Sequence, residues 1–154
     1  MSDKNDVSVK DYPSVTVIVP CFNENEFIRG KIANLRSLDY PEDMLEIIFA
    51  DGGSTDGTKS VIEDAIKGIP SYRLIETKRG GKIHQLNEVL GGIESEIIVN
   101  TDVDGLMGGN CLIELVKEFG RDENVGVVGA YITPRDCIPD EELYWAKNNV
   151  LRLL

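Results

Sequence analysis

Short apolar runs rich in β-branched residues alternate with amphipathic stretches along most of this chain, and no other feature narrows its fold as far. Val15-Thr16-Val17-Ile18-Val19 is such a run, stopped by Pro20. Leu45 to Phe49, Tyr72 to Ile75, Ile97 to Val99 and Val125 to Val128 read as further strands. Between them, apolar residues recur at helical spacing: Ile28, Ile32 and Leu35, then Val61, Ile62, Ala65 and Ile66. Ile83, Leu86, Leu90 and Ile93 form a third stripe, and Leu112, Leu115, Val116 and Phe119 a fourth. Asn23 is expected to cap the first helix, with Glu26 completing a capping box; Ser54 is expected to cap the second, with Gly68 at its C′ position. Strand and helix in strict alternation predict an α/β fold: a mostly parallel open sheet in a three-layer α/β/α arrangement.

The 154 residues suit one domain, placed at 14–154 behind a flexible polar tail at 1–13. A net charge of −11 opposes a nucleic-acid partner, which would need a basic face. An acidic protein that binds phosphates should rely on a metal ion and a few local cations. Cys21, Cys111 and Cys137 show no zinc-like spacing and read as reduced thiols of a cytoplasmic protein. No apolar run reaches the roughly 20 residues that span a bilayer.

Right-handed crossovers put the C-terminal end of every parallel strand on one edge of the sheet, where ligands of open α/β sheets bind. Three loops meet that edge. Pro20-Cys21-Phe22-Asn23 follows the first strand, Asp51-Gly52-Gly53-Ser54-Thr55-Asp56-Gly57-Thr58 the second, and Asn100-Thr101-Asp102-Val103-Asp104-Gly105 the fourth. Two carboxylates one residue apart suit a hard divalent cation that also takes substrate phosphate oxygens. Arg79-Gly80-Gly81-Lys82 precede the third helical stripe.

Taken in order, Val17 to Glu24, Asp51 to Thr58, Arg79-Gly80-Gly81-Lys82 with Leu86-Asn87, and Asp102-Val103-Asp104 resemble the family 2 glycosyltransferases. The resemblance runs from about Ser14 to the last residue. It implies the Rossmann-like GT-A nucleotide-diphospho-sugar transferase fold, here incomplete, and an inverting, metal-assisted transfer from a nucleotide sugar, with UDP the expected carrier, to an acceptor hydroxyl. Asp51 corresponds to the acid that accepts a hydrogen bond from the donor base, although a turn-capping role is the alternative for a residue so placed. Asp104 corresponds to the metal ligand, with Asp102 contacting either the ribose or the metal's water shell. Lys82 corresponds to the lysine on the diphosphate, and Pro20, Asn23 and Glu24 to donor-binding positions. The cofactor implied is Mn or Mg.

The chain departs from the family pattern at Ala50, where an acid is usual, and at Gly105, where a further acid is common. No catalytic base is assigned; the family's later acidic motif is expected beyond Leu154, and Asp136, Glu141 and Glu142 do not match it. The acceptor, a sugar or a lipid, is unread. Pro139 to Glu142 open a last helix with Leu143, Val150, Leu151 and Leu154 on one stripe. With Tyr144 and Trp145, that stripe is expected to favour self-association into a homo-oligomer. Relatives with membrane segments imply a cytoplasmic-face position for the full-length protein. The alternative function is a non-catalytic nucleotide-binding or interaction module. A dinucleotide-dependent oxidoreductase lacks support, because the first strand-helix turn has no Gly-x-Gly-x-x-Gly.

Overall fold

Four parallel strands lie in the order β3-β2-β1-β4: β1 (Val15–Cys21), β2 (Leu45–Asp51), β3 (Tyr72–Glu76) and β4 (Ile97–Asn100). They come from a computed structural model that describes residues 12–78, 80–122 and 124–133. Two strands extend past their expected ends: β1 runs through Pro20 to Cys21, and β2 reaches Asp51, so that Cys21 and Asp51 are register partners at the C-terminal edge. β1 is buried along all of its length, as a strand covered on both faces must be.

The helices are α1 (Ile28–Arg36), α2 (Thr58–Ile66), α3 (Lys82–Leu90) and α4 (Cys111–Phe119). Crossovers β1-α1-β2 and β2-α2-β3 run one way across the sheet, and β3-α3-β4 runs back past β1. The right-handed rule therefore puts α3 on the face opposite α1 and α2. Packing agrees: Ile18, Ile48 and Ala50 cluster with Val89 of α3, with Ile75, Leu86 and Ile93 around them. Ile28, Ile32 and Leu35 of α1 and Val61 and Ile62 of α2 are buried, as their spacing predicts.

The chain divides into two compact units, one ending at Ile113 and the other beginning at Glu114. In the second, Val125–Val128 is irregular backbone, not the expected fifth strand. A strand exists through its ladder; among the described residues the Val125 N–H makes a turn bond to the Asp122 carbonyl, and Val127 is 88% exposed.

Other expectations also need correction. α1 starts at Ile28 after Phe27, and Asn23 does not cap it; Asn23 takes a left-handed backbone (φ 57) that asparagine tolerates. α2 starts at Thr58, with Gly57 before it at φ 94, and Ser54 turns back toward Asp51 instead of capping. In α3 the buried positions are Gln85 and Val89, while Ile83 is 72% exposed. Tyr12 and Pro13, at the end of the expected tail, are engaged: the Tyr12 ring meets Tyr40 edge-on at 5.2 Å, and Tyr40 Oη donates to the Pro13 carbonyl. The last helix with its stripe, and Arg79, Asp136, Cys137, Glu141 and Glu142, lie outside the described residues.

Candidate functional site

Strand order reverses between β1 and β4, because the chain steps outward from β1 to β3 and then returns to the other side of β1. Loops leaving β1 and β4 must diverge there, and a crevice opens between them. A cleft of about 440 Å³ occupies that position. Its walls include Pro20 near the end of β1, Glu24 after β1, Lys82 at the start of α3, and Asp102 and Asp104 after β4. Five of the seven residues picked out from the sequence therefore line one cavity.

Asp51 and Asn23 serve the walls of the site. Asp51 is buried, and its carboxylate folds the loop that follows it: Oδ2 accepts from the N–H groups of Gly53 and Ser54, each at 3.0 Å, and Oδ1 accepts from Ser54 Oγ at 2.5 Å. This is the turn-capping geometry that short acidic side chains adopt. Asn23 Oδ1 accepts from the Thr55 N–H at 2.8 Å, and the Asn23 N–H donates to Ser54 Oγ at 2.9 Å. Glu24 N–H donates to Thr58 Oγ1, and Asn25 N–H to Asp56 Oδ2. The loops after β1 and β2 are thus stitched together residue by residue. Asp56 also accepts from Thr58 Oγ1 and the Thr58 N–H, and these bonds hold its carboxyl below the usual aspartate range.

Charge in the cleft is unbalanced. Burial pushes the Glu24 carboxyl upward, and the neighbouring Asp104, Asp56 and Asp102 push it further. Among the described residues the cation lining the cleft is Lys82, whose Nζ donates to Asp102 Oδ1 at 2.5 Å. A lysine in the first turn of a helix opposes the helix dipole, so α3 gains nothing from its placement there. A helix N-terminus and an ammonium side by side suit an anion.

Asp102 and Asp104 are oxygen donors of the hard type that Mg²⁺ and Mn²⁺ take, in a cavity whose own carboxylates repel one another. Among the described residues no group of three or more His, Cys, Asp or Glu could hold a metal ion unaided. The donor set fits a cation that takes one or two protein carboxylates and fills its remaining positions with phosphate oxygens and water.

Several residues of the site escape a reading by motif. Phe22 and Phe27 are about half exposed on the cleft, where rings of this kind offer a flat apolar face. Gln85 is buried, and its Nε2 donates to the carbonyls of Cys21 (2.7 Å) and Ala50 (2.9 Å), tying the ends of β1 and β2 together. Cys21 lies beside it with its thiol pushed up to about 12, chiefly by burial, which leaves it unreactive. Lys31 is fully buried beneath the loop after β4. A polar residue on an otherwise apolar helical stripe is the one signal that could have marked Gln85 and Lys31. His84, the single histidine, is an exposed residue of α3.

Known proteins resemble this chain in sequence and in fold. The β-monoglucosyldiacylglycerol synthase of Nostoc sp. is 28% identical over 144 residues, covering 92% of this chain and 30% of that protein. A poly-β-1,6-N-acetyl-D-glucosamine synthase of Staphylococcus epidermidis is 26% identical over 115 residues, covering 74% of this chain and 27% of that protein. The chain thus spans about 30% of the length of these curated relatives. A mannosyltransferase from Pyrobaculum calidifontis, solved in complex with GDP-Man and Mn²⁺, superposes with a TM-score of 0.71 at 38% identity, over 77% of this chain and 35% of that one. TarS of S. aureus, solved with UDP-GlcNAc, gives 0.65 at 19% identity over 79% of this chain and 38% of its own, a likeness of fold. The parallel sheet with its flanking helices is the GT-A arrangement. Residues 16–151 match the sequence pattern of glycosyl transferase family 2, and the chain belongs to that family.

Proposed function

We propose that this chain is the donor-binding part of a glycosyltransferase that moves a sugar from a nucleoside diphosphate to an acceptor hydroxyl, with inversion and with a divalent cation. The observation that carries the reading is the meeting of Glu24, Asp102, Asp104 and Lys82 in one cleft at the switch point of the sheet. Asp104, with Asp102, would hold the cation, which when bound supplies Lewis-acid stabilisation to the departing diphosphate. Lys82 offers a point charge to the same diphosphate and exchanges its bond to Asp102 for one to phosphate. Phe22 and Phe27 present ring faces on which a nucleobase can stack. Asp51 shapes the β2 loop, and one lone pair of its carboxylate remains for a base N–H beyond the three bonds it accepts.

UDP is the donor carrier expected from the family resemblance; the GDP-Man complex of the 38%-identical mannosyltransferase makes GDP the competitor. A cytoplasmic setting agrees with the free thiols of Cys21 and Cys111. Among the described residues no helix is long and apolar enough to cross a membrane.

Calorimetry with UDP and with GDP, each with and without Mn²⁺, tests the reading. The expected result is Mn²⁺-dependent binding of one nucleotide, weakened at least tenfold by Asp104→Asn. Binding that ignores both the metal and that substitution would remove it.

A further inference from the structure

The loop that presents Asp102 and Asp104 is held from outside, by α1. Lys31 Nζ donates to Thr101 Oγ1 at 2.8 Å and to the Gly105 carbonyl, so a single ammonium ties the residues that bracket both aspartates. One turn further along, Asn34 pairs with the backbone of Met107: its Nδ2 donates to the carbonyl at 2.7 Å, and its Oδ1 accepts the N–H at 2.9 Å. Beyond the helix, the Asp39 N–H donates to the Gly109 carbonyl at 2.8 Å. The same helix follows directly on Glu24 and Phe27, which also line the cleft. One rigid element therefore fixes both the β1 and the β4 contributions to the site.

A buried ammonium is a costly way to pack a helix, since an alkyl side chain would fill the space without desolvation. Burial pushes Lys31 down to about 8, against the pull of Asp102 and Asp104, which favour the charged form. We propose that Lys31 and Asn34 are positioning residues, which clamp the segment from Thr101 to Met107 onto α1 and so set where Asp102 and Asp104 present their carboxylates to the cation and diphosphate. The inference rests on the reading of those aspartates given above.

The sign of the metal response separates positioning from simple charge. A lysine acting only through its charge repels a cation, so its loss would tighten Mn²⁺ binding. A lysine that holds the loop in shape does the opposite when removed. Mn²⁺ affinity is measured on the 154-residue chain by electron paramagnetic resonance of the free ion, with saturating UDP and separately GDP, alongside thermal melting of each variant. Lys31→Met is expected to weaken Mn²⁺ at least tenfold and Asn34→Leu at least threefold, both in chains that still melt cooperatively. Lys59→Met, which removes an equal charge from a surface pair with Glu76, is expected to leave Mn²⁺ affinity within twofold. Unchanged or tighter Mn²⁺ binding in folded Lys31→Met overturns the proposal, as does an unchanged affinity in Asn34→Leu, which decides alone if Lys31→Met does not fold. Failure of the unaltered chain to bind Mn²⁺ with either nucleotide removes the functional reading and this inference with it, and that failure is visible before any variant is made.

Discussion

Replacing Gln85 with leucine removes a buried bridge while nearly keeping its volume. Nε2 donates to the carbonyls of Cys21 and Ala50 at 2.7 and 2.9 Å, where β1 and β2 end and their loops part. Each bond is worth about 1 kcal/mol net, so losing two costs about 2 kcal/mol. Little further penalty is due at Cys21, because its carbonyl keeps the Gly52 N–H at 2.9 Å. For a chain of this length, about 2 kcal/mol lowers Tm by about 4–8 °C. Gln85→Glu is the sharper probe, because it sets a carboxylate against two carbonyl oxygens. Its folded pKa must rise above the unfolded value of about 4.3. The variant then keeps its stability below that value and loses it as pH rises through the folded pKa. Melting followed by circular dichroism should rank Gln85→Leu above Gln85→Glu at pH 7 and bring the two together near pH 4. A Tm for Gln85→Leu within about 1 °C of the parent would refute the assignment of the bridge, as would a Gln85→Glu variant indifferent to pH.

Lys31 should leave a trace in stability at alkaline pH. Below about 8 it is protonated in both the folded and unfolded chain, and between about 8 and 10.5 the folded chain binds fewer protons, so its contribution to stability rises with pH. The span from 10.5 to about 8 corresponds to about 3 kcal/mol at 1.36 kcal/mol per pH unit; denaturant titrations should show that rise in the parent relative to Lys31→Met. Two glycines should respond in opposite directions. Gly57→Ala forces a side chain onto φ 94 and should cost about 1–2 kcal/mol, whereas Gly30→Ala, inside α1 with no atom within 4 Å of a new Cβ, should add up to about 1 kcal/mol; melting temperatures of the two variants check both signs. Lys82→Met removes the cation proposed to meet the diphosphate and should weaken Mn²⁺-dependent nucleotide binding about tenfold by calorimetry, with Tm nearly unchanged because its pair with Asp102 is about half exposed.

Periodicity alone determined the alternation of β1 to β4 with α1 to α4, since a buried parallel strand and a one-sided helix each leave a distinct apolar spacing. It also determined that the acidic loops share an edge, because parallel strands joined by right-handed crossovers have no other arrangement. The resemblance to family 2 glycosyltransferases came from residue types in order. Where each helix begins was decided by tertiary bonds: Asn23 and Ser54 are good caps locally, but each found a partner in the facing loop before it could cap its own helix. Val125–Val128 has the composition of a strand, yet composition supplies no ladder partner. Most of all, the tertiary structure decided the roles of polar residues on helices. Lys31 and Gln85 stand out in the linear sequence only as polar residues on apolar helical stripes; in the fold they are buried and donate to carbonyls 35 to 74 residues away, and spacing within one helix carries no information about an acceptor that distant.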